Sequence, residues 1–185
     1  SVRFSKIDLD QDGVQDLLGF EKHGNRLLPF LRVGDNFVYA PQYIRQFPEV
    51  HDWLICYDYN QDGKADLFTY GLASIRVFEN VSDGTLQFRL IADPLEAFYY
   101  NGYTNIYASP DDYMVVEDVD GDGHLDLINF QVLGRFAHQM RNYADVGEPF
   151  DFRLENECWG HFEEGADNNK ITLFSDCSAK SGDDG

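Results

Sequence analysis

Asp58-Tyr59-Asn60-Gln61-Asp62-Gly63-Lys64-Ala65-Asp66-Leu67 lies near the middle of the chain. Trp53-Leu54-Ile55-Cys56-Tyr57 precedes it and Phe68-Thr69-Tyr70 follows it. The centre is acid and glycine, and the flanks are aromatic and aliphatic. The same arrangement occurs twice more, as Asp8-Leu9-Asp10-Gln11-Asp12-Gly13-Val14-Gln15-Asp16-Leu17 and as Asp118-Val119-Asp120-Gly121-Asp122-Gly123-His124-Leu125-Asp126-Leu127. The shared pattern is D-x-[DN]-x-D-G-x-x-D-L, and its starts lie 50 and 60 residues apart. Self-similarity on this scale marks a repeat architecture.

Each copy packs three or four carboxylates into nine residues. Two such charges about 4 Å apart repel by about 1 kcal/mol even in water, and by more near a protein surface. A hard cation reverses that sign. Calcium takes six to eight oxygens at about 2.3–2.6 Å. Positions 1, 3 and 5 of the loop offer side-chain oxygens, position 7 a backbone carbonyl, and the Asp at position 9 closes the shell. Glycine at position 6 permits the sharp turn around the ion. Magnesium fits less well, because it demands strict octahedral geometry and keeps its waters. Zinc is disfavoured, since no loop offers Cys or paired His. A solvated Asp/Gly turn would explain one copy; it does not explain three with one spacing.

The flanks decide which kind of calcium loop this is. An EF-hand needs Glu at position 12 and helices on both sides. Position 12 here is Gly19, Thr69 and Asn129. The flanking runs, such as 53–57 and 113–117 before the loops and 67–70 and 127–130 after them, are short, aromatic and aliphatic, so they read as buried strands. The loop therefore joins two strands as a hairpin. Nine-residue β-roll periodicity is absent. A third strand is expected at 27–31, 74–78 and 136–143. After a polar turn, a fourth is expected at 37–39, 86–91 and 150–154. Four strands in about 50 residues is the signature of a propeller blade. No amphipathic helix of ten or more residues stands out.

With these residues the chain resembles the FG-GAP/VCBS repeat, which builds the β-propellers of integrin α subunits and of many secreted bacterial proteins. The resemblance covers residues 1 to about 156. It implies an all-β fold, a β-propeller or part of one, made of four-stranded blades with calcium-binding hairpin loops. Units are expected at about 1–45, 46–107 and 108–156, with a partial fourth at 157–185. The resemblance implies three calcium sites. Their ligands are Asp8, Asp10, Asp12 and Asp16; Asp58, Asn60, Asp62 and Asp66; and Asp118, Asp120, Asp122 and Asp126. The carbonyls of Val14, Lys64 and His124 complete them. Asn60 supplies a neutral oxygen, so the middle site is expected to bind more weakly. The tail around Cys158, Trp159 and His161 is similar to VCBS-repeat proteins exported by type 9 secretion. Propellers close with four to eight blades, so a piece of a longer propeller is expected, with one blade face lacking its neighbour.

The rest of the sequence narrows the chemistry. Among 185 residues, 33 acids against 14 bases give a formal charge of −19. Such a chain repels nucleic-acid backbones and anionic membrane surfaces. Its apolar runs are too short for a transmembrane helix. Aromatics reach 15%, which argues against disorder. Of three cysteines, Cys158 and Cys177 flank a polar excursion and are expected to form a disulfide in an oxidising compartment, the alternative being two buried thiols. Cys56 is expected as a free core thiol. The five histidines are scattered, and no nucleophile elbow or P-loop exists. Asn80-Val81-Ser82 fits a glycosylation sequon.

One aromatic stretch, Phe98-Tyr99-Tyr100-Asn101-Gly102-Tyr103-Thr104-Asn105-Ile106-Tyr107, reads as the connection between the second and third repeats. Tyr99, Tyr100 and Tyr103 are candidate ligand contacts, weighed against packing between blades. The functional expectation is a secreted or cell-surface calcium-binding scaffold, non-enzymatic, for a protein or glycan partner or for further blades of its own parent chain. The alternatives are a lectin-like propeller and the accessory domain of a secreted enzyme.

Overall fold

Leu67 and Phe68 are neighbours in the chain, and both are fully buried. Successive strand residues point to opposite faces, so the sheet that carries them is covered on both sides. That sheet is the middle one of the three large sheets in a computed structural model that describes residues 1–111, 114–130, 136–164 and 170–173. The fold is all-β, and the described residues otherwise hold only short 3-10 turns.

Strands β1 (Val2–Ile7), β2 (Asp16–Glu21), β3 (Arg26–Val33) and β4 (Asn36–Tyr39) form the first sheet in chain order. Strands β5 (Leu54–Tyr57), β6 (Asp66–Tyr70), β7 (Ile75–Asn80) and β8 (Phe88–Ala92) form the middle one in the same way. All neighbours within these two sheets are antiparallel. The third sheet has six strands. Four of them, β11 (Val115–Glu117), β12 (Asp126–Phe130), β13 (Ala137–Asn142) and β14 (Phe152–Asn156), repeat the plan. The other two, β9 (Glu96–Tyr99) and β10 (Gly102–Asn105), form a hairpin whose β9 pairs in parallel with β14. The aromatic stretch expected as a connection is therefore largely an extension of the third sheet. A separate pair, β15 (Phe162–Glu164) and β16 (Ile171–Leu173), follows. Among the described residues no sheet closes on itself.

The sheets stack through two apolar clusters. Leu54, Leu67 and Phe78 of the middle sheet pack with Ile7, Leu18, Phe20 and Leu27 of the first, and Phe47 stacks on Phe88 at 5.3 Å. On the other face, Ile55, Phe68, Ile75 and Val77 pack with Met114, Leu127, Met140 and Phe152 of the third sheet. The hairpin's Ala97 joins this second cluster, as do Leu95 and Ile106 on either side. Thr69 is the polar residue admitted into β6. Its hydroxyl donates to the Trp53 carbonyl at 2.7 Å, tying the entry to β5. Thr69→Val keeps the shape and removes that donor. It is expected to cost about 1–2 kcal/mol, read from urea unfolding, since a buried acceptor left unpaired costs that much.

The outer face of the first sheet is uncovered. Registering the three sheets on their loops makes Phe4 the counterpart of Leu54 and Met114, and Phe37 the counterpart of Phe88 and Phe152. Leu54, Met114 and Phe152 are at most 4% exposed, whereas Phe4 is 55% and Phe37 49% exposed. Phe30 and Tyr39 lie on the same face, with ring centroids 5.5 Å apart.

Candidate metal centres

Each acidic loop closes an antiparallel hairpin. Ile7 pairs with Asp16, Tyr57 with Asp66 and Glu117 with Asp126, so positions 1 to 8 of every loop lie between the paired strand ends and position 9 is the first residue of the second strand. The three backbones then fold alike. The position-6 glycine donates its N–H to the position-1 carboxylate: Gly13 to Asp8 at 2.9 Å, Gly63 to Asp58 at 2.8 Å and Gly123 to Asp118 at 2.9 Å. The N–H of position 7 donates to position 5: Val14 to Asp12, Lys64 to Asp62 and His124 to Asp122, at 2.8–2.9 Å. These glycines have φ of +84°, +86° and +87°, with open space where a Cβ would stand. The left-handed turn, and not crowding, is what requires glycine there.

The position-9 aspartate anchors each loop to its sheet. Asp16 accepts from the N–H of Leu9 at 2.8 Å and of Arg32 at 2.7 Å. Asp66 accepts from Tyr59 at 3.0 Å and Asn80 at 2.7 Å. Asp126 accepts from Val119 at 3.2 Å. Its other oxygen, Oδ1, is buried with no donor at hydrogen-bond distance; the Asn142 N–H goes to the Leu125 carbonyl, and the Gln139 side chain is the polar neighbour of the carboxylate. Oδ1 of Asp8 is likewise buried and unpartnered.

All three position-9 groups are at most 3% exposed. Burial pushes the Asp66 carboxyl up to about 7, against the pull of the Asn80 and Tyr59 N–H groups and with help from Asp58 and Asp62. Burial raises Asp16 and Asp126 as well. Asp122 goes the other way, held low by the His124 N–H and by Arg141.

The expected ligands come together unevenly. Oxygens of Asp8, Asp10 and Asp16 lie within 4.8 Å of one another, and so do those of Asp118, Asp120 and Asp126. These groups do not take in Asp12 or Asp122. Among the described residues the middle loop forms no such carboxylate triple, since Asn60 replaces the second acid. Asp58, Asn60 and Asp62 are nonetheless bound into the same turn, with the Asp62 N–H donating to Asp58 at 3.1 Å and to Asn60 at 3.2 Å. Crowded, buried carboxyls with orphaned oxygens suit a hard cation.

Three features of these loops are invisible in the motif. Position 4 is also left-handed, at Gln11 (φ +60°), Gln61 (φ +56°) and Gly121 (φ +79°); the glycine of the third copy is its one sequence signal. Those glutamines reach onward. Gln11 accepts from the Gly84 N–H of the middle sheet, and Gln61 donates to the Gly123 carbonyl of the third loop, both at 2.8 Å. Arg141 of β13 sits over the third loop, 3.0 Å from Asp120 and paired with Asp122.

Of the remaining candidates, Cys158 is disulfide-bonded, and Cys177 lies outside the described residues. Cys56 is free, with a thiol pushed up to about 12 by burial and so inert at neutral pH. Asn80 of the sequon is 3% exposed; its amide donates to the Ala65 carbonyl, so the folded chain offers no acceptor there. Tyr100 and Tyr103 are exposed on the hairpin, and Tyr99 is turned inward with its hydroxyl raised to about 12 by burial. No helix among the described residues is long and apolar enough to cross a membrane. No curated protein matches the chain. A family model does: residues 58–128, from the first aspartate of the middle loop to the centre of β12, match the FG-GAP-like repeat. This stretch of the chain is therefore similar to the FG-GAP-like repeat.

Proposed function

We propose that the chain is a non-catalytic, extracellular binding scaffold, a section of β-propeller whose blades are held by calcium in the three loops. The observation that carries this reading is the pair of buried, unpartnered oxygens, Asp8 Oδ1 and Asp126 Oδ1, each in a loop where three carboxylates converge. A buried acceptor without a donor is costly, and a divalent ion is the partner that suits it. Asp8, Asp10, Asp12 and Asp16 would hold the first ion. Asp58, Asn60, Asp62 and Asp66 would hold the second, and Asp118, Asp120, Asp122 and Asp126 the third. When bound, the ion supplies charge compensation and no reaction.

The ligands at positions 1, 3 and 5 belong to the turn, and the position-9 ligand belongs to the second strand. An ion shared between them fixes the hairpin angle. Gln11 and Gln61 carry that constraint to the next sheet. The uncovered face of the first sheet supports the propeller reading, because its counterparts in the other sheets are interior. Further blades of the parent chain are the neighbour we assign to it. Export as a VCBS-type surface protein belongs to the same reading, since loops of this kind fill at the near-millimolar calcium found outside cells.

Isothermal titration of the chelator-stripped chain tests it. Uptake of about three calcium ions with dissociation constants on the order of 10⁻⁴–10⁻³ M, with magnesium much weaker, is the expected result. No stoichiometric uptake at several millimolar calcium would overturn the reading.

A further inference from the structure

The third sheet carries something the other two lack. Its outer edge is extended by β9 and β10, and a groove of about 470 Å³ opens where this hairpin meets β14. Phe98, Tyr100, Tyr143, Arg153, Glu155 and Glu157 line it. The hairpin is two-faced. Ala97 is fully buried against the core, while Phe98 and Tyr103 stack edge to face on the outside at 5.4 Å. Tyr100 sits at the hairpin tip with φ +48°, a conformation unusual for a non-glycine residue, and the residue is 70% exposed.

Polar groups around the rings are arranged in pairs. The Tyr143 hydroxyl donates to Glu155 at 2.7 Å, Tyr100 bonds Glu157, and Tyr103 donates to Asp151 at 2.8 Å. Arg153 pairs with Asp151 at 2.6 Å. The groove thus offers a flat apolar platform beside fixed donors and acceptors. A volume of this size lies in the range of small-ligand sites.

The charges select the ligand class. An anion would meet Glu155, Glu157 and Asp151. A cation would seek the face of an aromatic ring, but the Tyr143 ring already carries Arg153 at 4.8 Å and Arg141 at 5.6 Å from its centroid, and the Arg153 guanidinium lines the same groove as the open Tyr100 ring, where it repels a second positive charge. What suits the remaining groups is a neutral polyol. Its C–H face can lie on the open Tyr100 ring, and its hydroxyls can donate to Glu155 and Glu157 and accept from Arg153. The geometry points to a binding site for neutral saccharides in this groove. The inference deepens the scaffold reading by naming what the scaffold holds, at a place separate from the three loops.

The test uses the full chain in about 1 mM calcium. It is applied to an array of neutral oligosaccharides of glucose, mannose, galactose and N-acetylglucosamine, alongside sialylated and sulfated glycans and a trimethyl-lysine peptide. Binding to a neutral oligosaccharide is expected. Tyr100→Ala and Glu155→Gln should each weaken it about tenfold or more by titration calorimetry, with an unchanged melting temperature. Leu72→Ser, at an exposed residue in the turn between β6 and β7, should leave it unchanged. Binding confined to charged glycans or to the peptide overturns the inference. So does the absence of neutral binding, or neutral binding indifferent to Tyr100→Ala. Calcium uptake is measured on the same sample. Tyr100-dependent sugar binding without calcium uptake would sink the calcium scaffold and leave the groove standing, and the reverse pattern would do the opposite.

Discussion

Adding a calcium chelator at about pH 7.5 is expected to lower the melting temperature by roughly 3–15 °C. The size follows from mass action. A site with a dissociation constant of about 10⁻⁴–10⁻³ M contributes about 0.4–1.4 kcal/mol at millimolar calcium. Three sites contribute about 1–4 kcal/mol, and a domain of this length shifts by about 2–4 °C per kcal/mol. The pH dependence sharpens the test. The buried Asp66 has its carboxyl raised from 3.8 to about 7, so without calcium the folded state favours the protonated form. That contribution is fully present below about 3.8 and is lost as pH rises through about 7. Asp16 and Asp126, raised in the same direction, add to it. The chelated chain should therefore gain stability as pH falls from about 7 toward 4, while the stabilisation by calcium fades over the same window because protons occupy its ligands. Calorimetric melts at several pH values, with and without calcium, read both trends. A chelated chain that melts at one temperature across that window would refute the account of Asp66.

Asp66→Ala should have a comparable effect, and its size should depend on calcium. The carboxylate accepts the N–H of Tyr59 and of the buried Asn80, and so bolts the loop and β7 to the start of β6. Removing it strands two donors at about 1–3 kcal/mol each and deletes a ligand of the middle site. With calcium present the expected loss is about 2–5 kcal/mol. Without calcium at neutral pH the variant is also relieved of a buried ionised carboxyl. Moving such a group from 3.8 to about 7 is worth about 4 kcal/mol. The two terms nearly offset, so the variant and the parent chain should unfold at similar urea concentrations in chelator and far apart in calcium. A loss of the same size in both conditions would mean that Asp66 acts only as a strand anchor.

The loops and most strands are legible from the motif alone, since acid and glycine at fixed offsets sit between short apolar runs. The third and fourth strands fall within a few residues of expectation because hydrophobic runs and polar turns alternate there. What stayed hidden depends on partners distant in sequence. Phe98 to Tyr107 carries the residue types of a strand, yet nothing in it says that β9 will pair in parallel with β14, more than 50 residues on. Arg141 reaches the third loop from β13, where it stands opposite Asp126 in the β12–β13 pairing, a partner 15 residues away in sequence. Gln11 and Gln61 adopt a left-handed turn that glutamine does not announce. At the candidate sites, the sequence names the acids but not which oxygens converge. Asp12 and Asp122 are as conspicuous in the motif as Asp8 and Asp118, yet neither joins a triple.

The adjacent burial of Leu67 and Phe68 on opposite faces has an evolutionary consequence. A unit with no wet side cannot exist by itself, so a lone copy released by recombination would be an insoluble product. A copy inserted between existing neighbours finds both of its apolar flanks matched at once.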